Sequence, residues 1–584
     1  MDAHISYHNL SEPDRSIRLI KLQPSEPGDA EGLADVASDV LVCDIEEHFL
    51  GDSPAYTALS YVWGSPECDK EYIIVNGTQI HTSKTVENAL RRLRFRQKVR
   101  WLWVDQLCIN QVDEEEKSHQ VHQMHHIYSE ADQVIAWLGT GDESSDLICH
   151  LMRETGRFLR GSNYAALSRL YSGDKSQQSV DLDAAQQAFH RFCQRSYWAR
   201  IWVMQEFADI IERYARKNTI DGLETLLRNI ERVYTTPHDS YVQNLFTRRS
   251  IFKSGLADAS SADSLLKVVA TSLVLEADYN WVHATDPRDR IFALLNLAGD
   301  KDYFSTFPDY SLSVEEVYKE TARKILQQGC VDLLMFCQTP KKITSLPSWV
   351  PDWSMAMLHP CSQPVWNTPF LASGGETSKP TFTDDDRVIL EGIYVDKIKE
   401  TGTAWDPNWL EPLDVAAATA YVNSIKEFCS RSPRVRVGDE PADAARIAIN
   451  DGTIWFDTVP YPEWGIECTE AFRVAIGVSE ASSETSSESD GHGSESDDLW
   501  YGDTLLRLHT RRSFLTSTGF VGVGPLDVQA GDEISVFLGG KTAYLVRPRD
   551  DDTYSLIGEA YVHGVMYGEL LKGGFEERKV YSLR

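Results

Sequence analysis

The chain has 584 residues, 42% of them hydrophobic and 10% aromatic, enough to bury more than one sizeable core in roughly two to four domains. Its formal charge of −31 and sequence pI near 4.9 set up a field that repels nucleic-acid phosphates and anionic lipid headgroups, which argues against nonspecific binding to either. Ten scattered cysteines without a Cys-x-x-Cys pair predict free thiols in a reducing compartment.

The opening MDAHISYHNLSEPDRSIRL lacks a basic stretch followed by an apolar one, and no run of about 18 apolar residues occurs. The expectation is a soluble, unsecreted, cytoplasmic protein without a membrane span. Ser16-Ile17-Arg18-Leu19-Ile20-Lys21-Leu22 alternates as a half-buried strand does, before a Pro/Gly/Ser interruption at 24–28. YTALSYVWG at 56–64 is a mostly apolar run ended by Gly64 and predicts a buried strand leaving into a loop. Asn76-Gly77 between alternating flanks predicts a hairpin. A helix is expected from Lys84 to Gln97, then a central parallel strand in WLWVD (101–105) with Asp105 at its carboxyl end. The Asp113–Glu116 capping pattern opens a helix over 114–130, and QVIAWLG (133–139) is another apolar strand ended by glycine.

Strand and helix alternating in this order imply right-handed crossovers and a parallel sheet with helices on its faces, where ligands bind beyond the carboxyl ends of the strands. Helical patterns fill 183–217 and continue to about 340, broken at Asp286-Pro287-Arg288-Asp289. After Pro380, short alternating runs with Gly/Asp turns (RVILEGIYV, DEISVFLGG, TAYLVRP, YSLIGEAYVHG) predict an antiparallel sheet or small barrel. The expected division is an amino-terminal extension with a strand at 1–50, an α/β domain at 51–215, a mainly helical region at 216–380 and a β-rich region at 381–584. The acidic, serine-rich stretch 479–498 within the last region cannot bury apolar surface and is expected to be disordered.

SIRLIKL, YTALSYVWG, WVDQLCINQ with DEEEKSHQVHQMHHIYSEADQVIAWLG, and RIWVMQE resemble, in order, the heterokaryon-incompatibility (HET) family of fungi. DPRDRIFALL, LPSWVPDWS, GFVGVGP, GDEISVFLGG and IGEAYVHGVMYGE resemble its long version, so the likeness covers most of the chain. The resemblance implies an effector of self/non-self recognition that promotes regulated cell death when different hyphae fuse, working with a protein partner or by self-association. A more distant resemblance is to Toll/interleukin receptor (TIR) domains, some of which hydrolyse NAD through one glutamate. ALSY (58–61) is similar to the end of the first TIR strand, and Trp202-Val203-Met204-Gln205-Glu206 keeps the W-C-x-x-E spacing with Val203 in place of the cysteine. This likeness implies a TIR/flavodoxin-like sheet, a catalytic role for Glu206, NAD as substrate and no required cofactor.

Independently of any family, Trp202, Glu206 and Ile210 fall at i, i+4 and i+8, so a helix would put a carboxylate on a face with an indole and a branched aliphatic. Burial raises such a carboxyl's pKa, and a nearby Arg200 or Arg195 opposes this. A positioned carboxylate can stabilise the oxocarbenium-like state of nicotinamide–ribose cleavage or grip the ribose hydroxyls. A buried Glu–Arg pair holding the helix to the sheet fits the same residues. Asp105, Asn110 and Gln111 flank a strand-to-helix loop and are candidate ribose or phosphate contacts, or loop-satisfying side chains. Ser60, Tyr61 and Trp63 occupy the matching loop after the earlier strand, where an aromatic either stacks on a base or fills the core.

Other features read as structural. Cys108 has no evident base, and His119, His122, His125 and His126 lack the companions of a metal site, so no metal is expected. Gly540-Lys541-Thr542 has Ser535 where a phosphate loop needs glycine. The basic run Arg91, Arg92, Arg94, Arg96, Lys98, Arg100 is either a solvated helix face or an attractor for a dinucleotide's phosphates or an acidic segment.

Overall fold

The computed structural model describes residues 5–25, 40–64, 70–150, 182–206, 263–273, 282–358, 360–361, 370–407, 414–452, 504–506, 508–572 and 577–584. They fall into two compact units, Met1–Leu265 with Val282–Ser313, and Leu266–Trp281 with Val314–Arg584. Ile210, with the whole of 207–262, and the acidic stretch 479–498 lie outside the described residues.

The first unit holds a seven-stranded sheet. Its strands are β1 (Ser16–Leu22), β2 (Val42–Phe49), β3 (Thr57–Tyr61), β4 (Lys70–Val75), β5 (Thr78–Ser83), β6 (Arg100–Trp103) and β7 (Gln133–Trp137). The order β5-β4-β2-β1-β6-β3-β7 corrects the expected parallel sheet. Only β6-β3-β7 and the β2–β4 contact are parallel, while β1 runs antiparallel to both β2 and β6. The reason is β2, whose polar sequence VCDIEEHF carries no apolar-run signal and which returns directly alongside β1.

β1 is also buried at six of its seven positions rather than on one face. Its Arg18 is accommodated there by an ion pair with Glu116, with Nη2 donating to Oε2 over 2.8 Å. The Asn76-Gly77 turn has both residues at positive φ, +48° and +76°, which gives the tight hairpin of β4 and β5. Helix α1 (Lys84–Leu93) ends four residues earlier than expected, at Arg94, whose guanidinium turns back onto the Gln23 and Pro24 carbonyls. A short helical turn α2 (Asp105–Cys108) follows β6, and α3 (Glu114–Glu130) starts at Asp113, whose carboxylate accepts from the Glu116 amide.

Within the first unit, the segment 282–313 is fastened by one buried carboxylate. Asp289 accepts from the Trp202 indole over 3.0 Å and from the Tyr310 hydroxyl over 2.6 Å, and Lys117 of α3 sits 3.7 Å over the Tyr310 ring. Burial holds the Asp289 carboxyl above its ordinary value against these two hydrogen bonds.

The second unit is β-rich, as expected beyond Pro380, and its eight-stranded sheet closes. The strands are β8 (Thr381–Phe382), β9 (Val388–Trp405), β10 (Arg511–Thr516), β11 (Val521–Pro525), β12 (Glu533–Phe537), β13 (Ala543–Pro548), β14 (Tyr554–Val562) and β15 (Arg578–Leu583). The pairings β9–β10–β11–β14–β13–β12–β9 form a ring without a free edge. β9 makes this possible by pairing with β12 and β15 along its first half and β10 along its second, with register shifts that bend it between the two.

Two helices the alternating pattern did not announce, Val415–Arg431 and Glu440–Ala448, belong to the same apolar core as the barrel. Gly402 lets the first approach β9, since a Cβ there would come within 2.8 Å of the Phe428 ring. Arg511 and Glu559, on β10 and β14, form a buried ion pair at 3.0 Å.

Removing one member of that pair leaves the other buried and uncompensated. Arg511→Met is expected to cost about 3–5 kcal/mol in urea unfolding followed by tryptophan fluorescence, and Arg511→Met/Glu559→Leu less than the sum of its singles. Asp289 predicts a pH dependence. A carboxyl with a raised pKa binds its proton more tightly in the folded chain, so its contribution is complete below the ordinary carboxyl pKa and is lost as pH rises through the folded value. Melting temperatures of Asp289→Asn are therefore expected to fall less than the parent's between about pH 4 and about pH 7.

Candidate functional site

The parallel strands β3 and β6 end side by side, with Ala58 opposite Trp103. Ser60 is the next-to-last residue of β3 and is fully buried. The chain segment 197–206 meets this end through Ser60 and the Tyr61 carbonyl, and a bridge between Arg200 and His283, with the Ile201 amide donating to the His283 carbonyl over 3.0 Å, ties it to the segment at 282–313. It delivers Tyr197, Arg200 and Glu206 to one place.

The Ser60 hydroxyl donates to Glu206 Oε2 and lies 2.7 Å from the Tyr197 hydroxyl. The other carboxylate oxygen, Oε1, is 3.6 Å from Arg200 Nη2, and Arg200 Nη1 donates to the Tyr61 carbonyl. Glu206 is 1% exposed. Burial works against the charge on Arg200, but Glu206 and Asp105, with the Tyr128 and Tyr61 phenols, hold its pKa above the ordinary value. Burial first, and Glu206 next, push the Tyr197 phenol up, so it stays protonated and able to donate.

Asp105 adds its negative charge to the surroundings of Arg200 and of the Tyr61 phenol. Its Oδ2 accepts from the Trp63 indole over 2.6 Å and its Oδ1 from the Gln106 amide over 2.7 Å. The structure thus brings Ser60, Tyr61, Arg200 and Glu206 together and sets the Trp63–Asp105 pair beside them. Gln111 donates to the Asp105 backbone carbonyl over 3.0 Å, and the Asn110 amide donates to Glu116 over 2.7 Å. These two bonds hold the loop. Trp202 sends its indole nitrogen to Asp289 rather than to the partners of Glu206. Arg195 is not at the carboxylate either, for it bonds the Leu138 and Thr140 carbonyls and Asp142.

Sequence reasoning missed Tyr197, which lies in a short turn (Ser196–Ala199) with no periodic relation to Glu206. It also missed Gln205, 1% exposed, whose amide oxygen and nitrogen have no hydrogen-bond partner among the described residues. Cys108 is a buried thiol, pushed up to about 12 by burial, and the eight described cysteines are all free. His119 faces Asp14 at 2.6 Å, and among the described residues no cluster of three metal-ligating side chains occurs. Arg94 and Arg100 of the basic run donate to backbone carbonyls, and Arg91 pairs with Glu87. No described helix is long and apolar enough to cross a membrane.

Comparison with known proteins agrees with these two units. Residues 56–206 match the family model of the heterokaryon incompatibility protein (HET), a stretch that contains both Ser60 and Glu206. Residues 466–583 match the Het-6 beta-barrel domain, and β9, which closes the barrel, lies ahead of that match. The chain is 27% identical to heterokaryon incompatibility protein 6, OR allele, of Neurospora crassa, over 96% of this chain and 95% of that protein. No solved structure matches. With a HET-family match that runs from β3 to Glu206 and a Het-6 beta-barrel match after it, the chain is similar in both units to fungal HET domain proteins.

Proposed function

We propose that the protein is a cytoplasmic effector of heterokaryon incompatibility that promotes regulated cell death, and that its HET domain is a TIR/flavodoxin-like module that binds NAD and hydrolyses the nicotinamide–ribose bond. The incompatibility role is supported by the name of the Neurospora relative and its similarity across nearly the whole chain. The observation that carries the chemistry is the meeting of Glu206 with Ser60 and Arg200 beyond the carboxyl end of β3. In sheets with parallel strands, that is the edge at which ligands are held.

Glu206 is the group that would stabilise positive charge on the ribose as neutral nicotinamide departs, or grip the ribose hydroxyls. A ribose hydroxyl donating to Glu206 would take over the role that the Ser60 hydroxyl has in the resting chain. Arg200 sets a positive charge 3.6 Å from the carboxylate, and the Trp63 indole, fixed by Asp105, offers a face for a flat ring. A second reading follows from the 1% exposure of Glu206 and the occupation of both its oxygens. Those features suit a finished structural ion pair, in which case the HET domain signals by self-association or by binding an incompatibility partner.

Incubation of the purified full chain with NAD separates the two. Glu206→Gln is expected to lower nicotinamide release at least about 100-fold. Ser60→Ala should lower it less, because the carboxylate remains. No release by the parent chain at concentrations that favour self-association, or release unchanged in Glu206→Gln, would sink the enzymatic reading. Concentration-dependent sedimentation lost on substituting surface residues of 50–210 would then favour the partner-binding one.

A further inference from the structure

The second unit contains a cleft of about 580 Å³, formed by the loop 339–348, the Asp385–Asp386 turn and the strand ends of β13, β14 and β15. Its volume lies within the roughly 300–1,000 Å³ of small-molecule sites. In a chain of net charge −31, its wall carries Lys319, Lys341, Arg547, Arg549 and Arg584. Most of this charge is already used. Lys341 is tied to the Ser348 and Val350 carbonyls at 3.1 and 2.7 Å, Lys319 to Asp386 at 2.8 Å, and Arg547 to Asp532 at 2.8 and 3.0 Å. The three aspartates on the wall are likewise engaged: Asp385 by Arg387, Asp386 by Lys319 and Arg323, and Asp527 by the Thr339 hydroxyl.

Arg549 and Arg584 differ. Their side chains are 45% and 59% exposed, and both reach one carboxylate, Asp551, at 4.0 and 3.3 Å. Neither makes a paired two-bond contact with it. Arg549 Nη1 also bonds the Ser555 hydroxyl at 3.0 Å. Asp551 itself is not on the cleft wall. It shows that one oxyanion is within reach of both guanidiniums while most of their N–H groups stay uncommitted. A phosphate monoester offers more charge and more acceptors than a carboxylate and matches the guanidinium fork. Pro340 and Pro347 on the same wall supply an accessible apolar surface for an attached organic group, whereas Leu346, Leu556 and Ile557 there are buried.

We propose that this cleft binds a small phosphorylated metabolite, with the phosphate held by Arg549 and Arg584 and the organic part lying along Pro340 and Pro347. Asp551 competes with that phosphate for both guanidiniums. The site is independent of the proposed chemistry at Glu206.

Isothermal titration of the full chain with inorganic phosphate, glucose 6-phosphate and AMP tests it, with glucose and adenosine as neutral counterparts. At least one ester is expected to bind saturably and more tightly than inorganic phosphate, and the neutral compounds are not. Arg549→Gln/Arg584→Gln should weaken that ester at least about tenfold, a change of about 1.4 kcal/mol. Asp551→Asn should tighten it severalfold, a gain that misfolding cannot produce. Lack of saturable binding by both esters, equal affinity for inorganic phosphate and the esters, or an ester affinity indifferent to the double variant and to Asp551→Asn would each overturn the proposal.

Discussion

A carboxylate removed from water has to be neutralised where it lies, and in the first unit that requirement falls on Glu206. Its partners come from opposite ends of the domain's sequence: Ser60 from β3 and Arg200 from the turn that precedes Glu206 itself. The carboxylate therefore does more than satisfy a local loop. It joins a segment near residue 200 to the end of a strand near residue 60, and the Arg200–His283 bridge ties the segment 282–313 into the same corner. Asp289 repeats the device a few residues away, with Trp202 and Tyr310 as its donors. Two buried acids thus hold the segments near residues 200 and 290 to each other and to the end of β3.

The second unit solves a different problem by different means. An antiparallel sheet of short strands exposes two edges, and here both are removed by closing the ring through β9. One strand long enough to pair with β12 and then β10 does the closing, and the register shifts along it provide the bend. Within the closed sheet, Arg511 of β10 and Glu559 of β14 compensate each other's buried charge at 3.0 Å. At the ends of β13 and β15, by contrast, the Arg549 and Arg584 side chains are 45% and 59% exposed.

Legibility in the sequence followed the strength of local signals. The apolar runs of β3, β6 and β7, the Asn-Gly hairpin and the capped helix α3 were each readable because period, turn chemistry or capping acts over a few residues. β2 was not, since half its residues are charged or polar and its place is set by pairing with β1. Missing β2 turned a mixed sheet into a parallel one. At the candidate site, the residues that motif resemblance pointed to include four that meet, Ser60, Tyr61, Arg200 and Glu206. Trp202 was read as sharing a face with Glu206, but its indole answers to Asp289, more than eighty residues on in the chain. Tyr197 left no trace in any spacing, because a contact made by a short turn has no period to reveal it.

That tyrosine changes what the corner can do. A serine hydroxyl has a single proton, and that of Ser60 is directed at Glu206 Oε2. The hydrogen bond between Ser60 and Tyr197 must then run from the phenol to the serine, and the raised pKa of Tyr197 ensures that the phenol has a proton to give. Tyr197, Ser60 and Glu206 form a directed chain of donors ending on the carboxylate, in which each bond polarises the next. The buried Glu206 carboxyl thus meets Arg200 at one oxygen and a relay of two hydroxyls at the other, an arrangement that a lone Glu–Arg pair does not have.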